Sequence, residues 1–296
     1  MGPVRIAAAA AVAAVAACSG PGTATGAPGR AAAPRQASYY LALGDSLSQG
    51  VQPDAAGVSV ETGQGYADQL YAALRPARPA LRLVKLGCPG ETTATMMHGG
   101  ICGYPGGSQL AAAAAFLRAH RGHVFLVTID IGANDTEDCG AGQSLSQVTS
   151  CFRADVPGAL RNLATIMAGI RAAAGPGVRI AGMTYYLPAL ALWRDGLAGR
   201  AAAWLVERLA AGYNGLLDRV YASHGARVAD VFGAFDTPNF GDPVPAAGGG
   251  TLPRNVAMVC RLTWECANPP RGPNQHANRA GYAVIARAFL QATGLG

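Results

Sequence analysis

Tyr39-Tyr40-Leu41-Ala42-Leu43-Gly44-Asp45-Ser46 opens as a short apolar run and ends on a glycine, an aspartate and a serine. An apolar run of this length closed by a turn residue reads as a buried strand. Ser46 then lies at the C-terminal edge of that strand, where open α/β sheets hold their ligands. Two later runs repeat the form: residues 81–86 lead to Gly87 and Gly90, and residues 124–129 lead to Gly132 and Asn134. Three strands thus deliver a serine, a glycine and an asparagine to one edge.

Helical patterns fill the spaces between. Tyr66, Leu70 and Leu74 recur at i, i+4, i+8 and stop at Pro76, and Ser108 is placed to cap an Ala-rich helix running to Ala119. Leu160, Leu163, Met167 and Ile170 form a stripe that Gly175 ends, before a strand over 178–183. Residues 199–222 read as a long helix with Leu205, Leu209, Leu216 and Val220 inward. A strand over 228–232 closes the sheet, and a last helix spans about 278–291. The stretch 236–274, rich in Pro and Gly, reads as an ordered surface excursion beside the site. Alternation of strand and helix predicts a parallel sheet with helices on both faces.

Half of the 296 residues are hydrophobic and only 14% are charged, which fits one packed domain and excludes a disordered chain. The net charge of +6 is almost all arginine, Lys85 being the single lysine. No basic run interleaved with aromatics occurs, so nucleic acid is not an expected partner. Walker, dinucleotide, Gly-x-Ser-x-Gly and His-Glu-x-x-His patterns are missing too, and neither a cofactor nor a metal is expected.

Residues 1–17 carry Arg5 and an Ala/Val/Ile run of signal-peptide length, too short to span a bilayer. Val15-Ala16-Ala17-Cys18 resembles the lipobox of bacterial lipoproteins, which implies lipidation of Cys18 and a membrane anchor; ordinary cleavage nearby, leaving Cys18 free, is the other reading. Residues 18–37, from Gly20-Pro21-Gly22 to Pro34, read as a flexible tether, and residues 38–296 as the folded domain. Six cysteines remain, as sequence neighbours: Cys88 with Cys102, Cys139 with Cys151, Cys260 with Cys266. Short loops and an exported, oxidising setting favour that pairing, and the lack of any Cys-x-x-Cys argues against zinc.

Leu41-Ala42-Leu43-Gly44-Asp45-Ser46-Leu47-Ser48 resembles the first block of the SGNH hydrolases, the GDSL lipase and esterase family. Cys88-Pro89-Gly90-Glu91-Thr92-Thr93 resembles the second, Gly132-Ala133-Asn134-Asp135 the third, and His276 with Asn278, Gly281 and Tyr282 the last. The resemblance implies a flavodoxin-like three-layer α/β/α sandwich and ester hydrolysis through an acyl-enzyme. Ser46 would be the nucleophile and His276 the base. The N–H groups of Ser46 and Gly90 and the amide of Asn134 would form the oxyanion hole, which supplies donors where negative charge appears. The family's Asp-x-x-His block reads Pro273-x-x-His276 here. A Ser-His dyad oriented by the Pro273 carbonyl is the favoured expectation, ahead of recruitment of Asp236, Asp242 or Glu265.

Other residues receive quieter readings. Asp45 and Asp135 brace loops, Asp130 is a hydrogen-bonded structural carboxylate, and His98, His120, His123 and His224 are surface residues. Trp264 either lines an acyl pocket or packs the loop. The expected substrate is a small-molecule or lipid ester. A glycan O-deacetylase on the same residues, or a catalytically silent glycan- or lipid-binding lipoprotein, are the alternatives.

Overall fold

The computed structural model describes residues 38–139, 143–246 and 249–296. The segments read as an export signal and a tether, with Cys18, lie outside them. Strands β1 (Ser38–Gly44), β2 (Leu81–Lys85), β3 (Val124–Asp130), β4 (Arg179–Met183) and β5 (Arg227–Ala229) form one sheet in the order β2-β1-β3-β4-β5. Every pairing is parallel. Strand order reverses between β1 and β3, so the chain's first and third strands flank the crevice that such sheets leave at the switch point.

The helices are α1 (Ser46–Gln49), α2 (Tyr66–Leu74), α3 (Thr93–His98), α4 (Gln109–Ala119), α5 (Leu145–Ala174), α6 (Gly196–Ser223), α7 (Val231–Ala234), α8 (Arg254–Leu262) and α9 (Arg279–Thr293). Helices α2 and α9 pack together on one side of the sheet, and α4, α5 and α6 on the other. This is the three-layer sandwich anticipated. Cover on both faces explains why the strands are continuously apolar: Tyr40 to Leu43, Leu126, Val127, Ile129 and Ile180 are buried.

Local signals act where expected. Ser108 accepts a hydrogen bond from the Ala111 N–H and caps α4, Gly175 ends α5, and Tyr66, Leu70 and Leu74 are buried along α2. The three disulfides join Cys88 to Cys102, Cys139 to Cys151 and Cys260 to Cys266.

Four details differ from the sequence reading. The inward face of α6 is Ala203, Tyr213, Leu217 and Tyr221, about one residue round the helix from the leucine stripe, which is only half-buried. Strand β5 stops at Ala229, because Asp230 accepts from the Gly233 N–H and caps α7, taking Phe232 into a helix. The excursion 236–274 contains α8, whose Val256, Val259 and Leu262 are buried at i, i+3, i+6. Finally, of the four histidines read as surface residues, only His98 is exposed. His120 stacks on Phe116, His224 Nδ1 bonds the Val220 carbonyl, and the His123 carbonyl accepts from the Tyr39 N–H.

Candidate active site

The turn after β1 aims Ser46 into the crevice. Gly44 has φ +127°, and a Cβ there would lie 2.0 Å from the Asp130 carbonyl oxygen, so only glycine lets β1 and β3 close this tightly before the serine. Asp45 caps α1 by accepting from the Leu47 N–H at 3.0 Å. Ser46 is the first residue of α1, and its N–H has no intrahelical partner.

Buried Asp130 holds the turn from behind. Its carboxyl accepts from the N–H groups of Asp45 (3.3 Å) and Ser48 (3.1 Å) and from the Tyr66 hydroxyl. Burial and the neighbouring Asp45 hold its pKa well above the usual carboxylate range, and burial pushes Asp45 up to about 6. Two buried carboxyls this close do not both ionise readily. Asp130 therefore sits where the structural-carboxylate reading put it.

Gln109, buried at the start of α4, was not legible as a site residue. Its side chain accepts from the Gly44 N–H at 2.7 Å and donates to the Gly44 carbonyl (2.9 Å) and to Glu91 (3.0 Å). It joins the serine turn to the loop of Gly90. That loop is also tied by Cys88 N–H to the Gly44 carbonyl (3.0 Å) and by Asn134 Nδ2 to the Glu91 carbonyl (2.8 Å). Asp135 accepts from the Thr93 N–H and hydroxyl, completing the brace assigned to it. Gly90 is exposed, with φ +82° and open space where a Cβ would stand, and its N–H makes no hydrogen bond among the described residues. Asn134 borders the same cavity as Ser46 and His276, whereas Gly90 lies outside the cavity lining.

His276 is brought across by the segment between α8 and α9. The Trp264 N–H bonds the His276 carbonyl (3.0 Å), Thr263 bridges Ala277, and the Asn278 N–H bonds the Leu262 carbonyl. Asn278 also caps α9 by accepting from the Ala280 and Gly281 N–H groups. A Cβ on Gly281 would lie 2.1 Å from the Leu262 carbonyl oxygen, and the Tyr282 hydroxyl donates to the Val51 carbonyl at 2.8 Å. The last block thus fixes a histidine against a serine turn: His276 Nε2 stands 3.0 Å from Ser46 Oγ.

The partner of the other ring nitrogen corrects the sequence expectation. His276 Nδ1 lies 2.8 Å from the side-chain Oδ1 of Asn274, and the Pro273 carbonyl makes no hydrogen bond to it. None of the three loop acids reaches the ring either. Asp236 pairs with Arg254 at 2.8 Å, Asp242 accepts from Asn239, and the Glu265 side chain has no hydrogen bond to His276. Burial, uncompensated by any carboxylate hydrogen bond, lowers the His276 pKa to about 4.

Beside the pair opens a cavity of about 240 Å³. Phe152 of α5, Leu187, Pro188 and Ala189 after β4, and Val206 and Ala210 of α6 give it a largely apolar wall. Trp264 is not part of it; its indole N–H faces Gln52 (3.4 Å) and its ring faces Arg271, so it packs the loop. Among the described residues one trio of metal-type donors converges, Cys139, Cys151 and Asp155, but its thiols are consumed by a disulfide. No helix among those residues is long and apolar enough to cross a membrane.

Solved structures share this architecture. Phospholipase A1 from Streptomyces albidoflavus superposes with TM-score 0.58 at 17% identity, over 87% of this chain and 100% of that one. The extracellular lipase of Streptomyces rimosus gives 0.56 at 18%, over 87% and 100%. The acetylxylan esterase Axe2 of Geobacillus stearothermophilus gives 0.53 at 17%, over 88% and 95%. No curated protein sequence matches. At these identities the likeness is one of fold. The sequence itself matches a family over residues 42–284, a span that holds Ser46, Gly90, Asn134 and His276: the chain belongs to the GDSL-like lipase/acylhydrolase family.

Proposed function

We propose that this protein hydrolyses carboxylic esters through an acyl-enzyme on Ser46. Family membership supports ester hydrolysis at the level of reaction class. The observation that carries the mechanism is the 3.0 Å contact of His276 Nε2 with Ser46 Oγ at the edge of an apolar cavity. His276 takes the serine proton as Oγ attacks the ester carbonyl and returns it to the leaving alkoxide. Water then repeats the sequence on the acyl-enzyme. The N–H groups of Ser46 and Gly90, together with Asn134 Nδ2, receive the tetrahedral oxyanion. The free state of the two backbone donors supports that role, and each such donor is worth about 10²–10³ in kcat. Asn134 Nδ2 keeps a second hydrogen beyond the one bonded to Glu91.

The cavity supports one substrate class over the other. An acetyl group would leave most of 240 Å³ empty, whereas an aliphatic acyl chain of several carbons fills a largely apolar wall. We therefore favour lipid or medium-chain esters over the O-acetyl groups of a glycan. An intact serine-histidine contact also weighs against a silent binding protein. Export, with anchoring at Cys18, remains part of the proposal; three disulfides support an oxidising compartment. A fluorophosphonate carrying an alkyl chain tests the site. It should add one phosphonyl group, on the peptide containing Ser46, and none to Ser46→Ala; labelling elsewhere, or none in folded wild-type protein, would contradict the proposal.

A further inference from the structure

Asn274 Oδ1 accepts two hydrogen bonds from one residue: the His276 backbone N–H at 3.1 Å and ring Nδ1 at 2.8 Å. The backbone N–H can only donate, so the oxygen end of the amide must face His276. The nitrogen end agrees, with Nδ2 donating to Ser59 Oγ at 3.0 Å. The Asn274 N–H is itself held by the Trp264 carbonyl at 3.2 Å, within the turn that carries His276. With an acceptor fixed opposite Nδ1, that nitrogen carries the ring proton. Nε2 then presents its lone pair to Ser46.

We propose that Asn274 is the positioning residue of this site, its neutral side-chain carbonyl selecting the Nδ1–H tautomer of His276 from one position after that where the family pattern puts a carboxylate. This rests on Ser46 and His276 acting as nucleophile and base. The site then works without a buried negative charge paired to the ring. The ionisable groups that line the cavity with it are Asp45 at the α1 cap, Glu137 in the turn after β3, Tyr185 and Tyr186 after β4, and Tyr213 of α6, and Glu265 follows α8 in the segment that carries the ring. Glu137 is engaged by Gln275 at 2.9 Å, Tyr186 by the Gln275 carbonyl at 3.0 Å and Tyr213 by the Gly132 carbonyl at 2.9 Å, and none of the six bonds the imidazole. Burial alone then sets the ring's basicity, consistent with a pKa lowered to about 4.

Three variants test the assignment by kcat, KM and the pH profile of kcat/KM on a p-nitrophenyl ester, with thermal unfolding to confirm folding. Asn274→Leu, which cannot accept a hydrogen bond, should lower kcat by about 10²-fold or more with KM within about 2-fold, since a freed ring loses its tautomer and aim. Asn274→Asp should stay active and move the acid limb of the profile upward by about one pH unit or more, because a carboxylate at this distance favours the imidazolium. Ser59→Ala, which removes only the contact to Nδ2, should leave kcat unchanged. Wild-type kcat in Asn274→Leu, or an unshifted limb in Asn274→Asp, would overturn the proposal. Activity retained in Ser46→Ala would instead overturn the reading beneath it, so the two failures are distinct.

Discussion

Lengthening the acyl chain of a p-nitrophenyl ester should raise kcat/KM until the cavity beside Ser46 is full. A cavity of 240 Å³, at the ~30 Å³ that a water-sized group occupies, admits about eight heavy atoms. Each methylene taken out of water gains about 0.8 kcal/mol, or roughly fourfold in a rate constant when fully realised in the transition state. Because the cavity is partly open to solvent, about 2- to 4-fold per methylene is expected, from acetate to hexanoate or octanoate, with no gain beyond. Ala210 lies on the α6 wall of this space. Ala210→Phe fills part of this space with an aromatic ring, so the optimum should move to butyrate or shorter while the rate on acetate changes little. Steady-state kinetics across the even-numbered esters reads both effects. A wild-type optimum at acetate, or an unchanged octanoate-to-acetate ratio in Ala210→Phe, would refute the acyl reading of the cavity and favour O-deacetylation.

Gln109→Leu strands the Gly44 N–H in the interior, which should cost about 1–3 kcal/mol in urea unfolding and reduce kcat as the serine turn loosens; an unchanged midpoint would show that the turn does not depend on it. Asp130 has a raised folded-state pKa, so its contribution to stability is full below its unfolded pKa and is lost as pH rises through the folded value. The stability of Asp130→Asn relative to wild type should therefore improve from pH 4 to pH 8, and a pH-independent difference would contradict the assignment. Removing the Cys88–Cys102 bridge with paired alanines frees a loop of about 15 residues, worth about 3 kcal/mol in the chain-entropy account. It should also lower kcat through Gly90; full activity with an unchanged melting temperature would show that the loop needs no brace.

The sheet and the ends of its first three strands were legible because both signals are local. A strand covered on both faces must be continuously apolar, and a crevice at the switch point must place its chemistry just after β1, β2 and β3. Ser46, Gly90 and Asn134 all fall just past those strand ends, and the family resemblance singled them out among their neighbours. Asn274 was overlooked because the family pattern directs attention three residues before His276. Pairing of Trp264 with His276 turns the chain so that a side chain two residues before reaches Nδ1. Gln109 was invisible for another reason: its partner Gly44 is 65 residues away, and nothing in an Ala-rich helix marks its cap-adjacent glutamine. On α6 the conspicuous leucines outweighed the smaller Ala203 and the aromatic Tyr213 and Tyr221 that actually face inward. Helix α8 was masked by Pro253 before it and the disulfide loop after it.

If Ser46 and His276 act as one catalytic unit, a double-mutant comparison will show it. Hydrolysis of p-nitrophenyl octanoate should fall by about 10⁴-fold or more in Ser46→Ala and in His276→Ala, and the double variant should be no slower than either, because removing one member already disables the other. Additive losses, or a Ser46→Ala enzyme keeping more than about a tenth of wild-type kcat, would contradict the account.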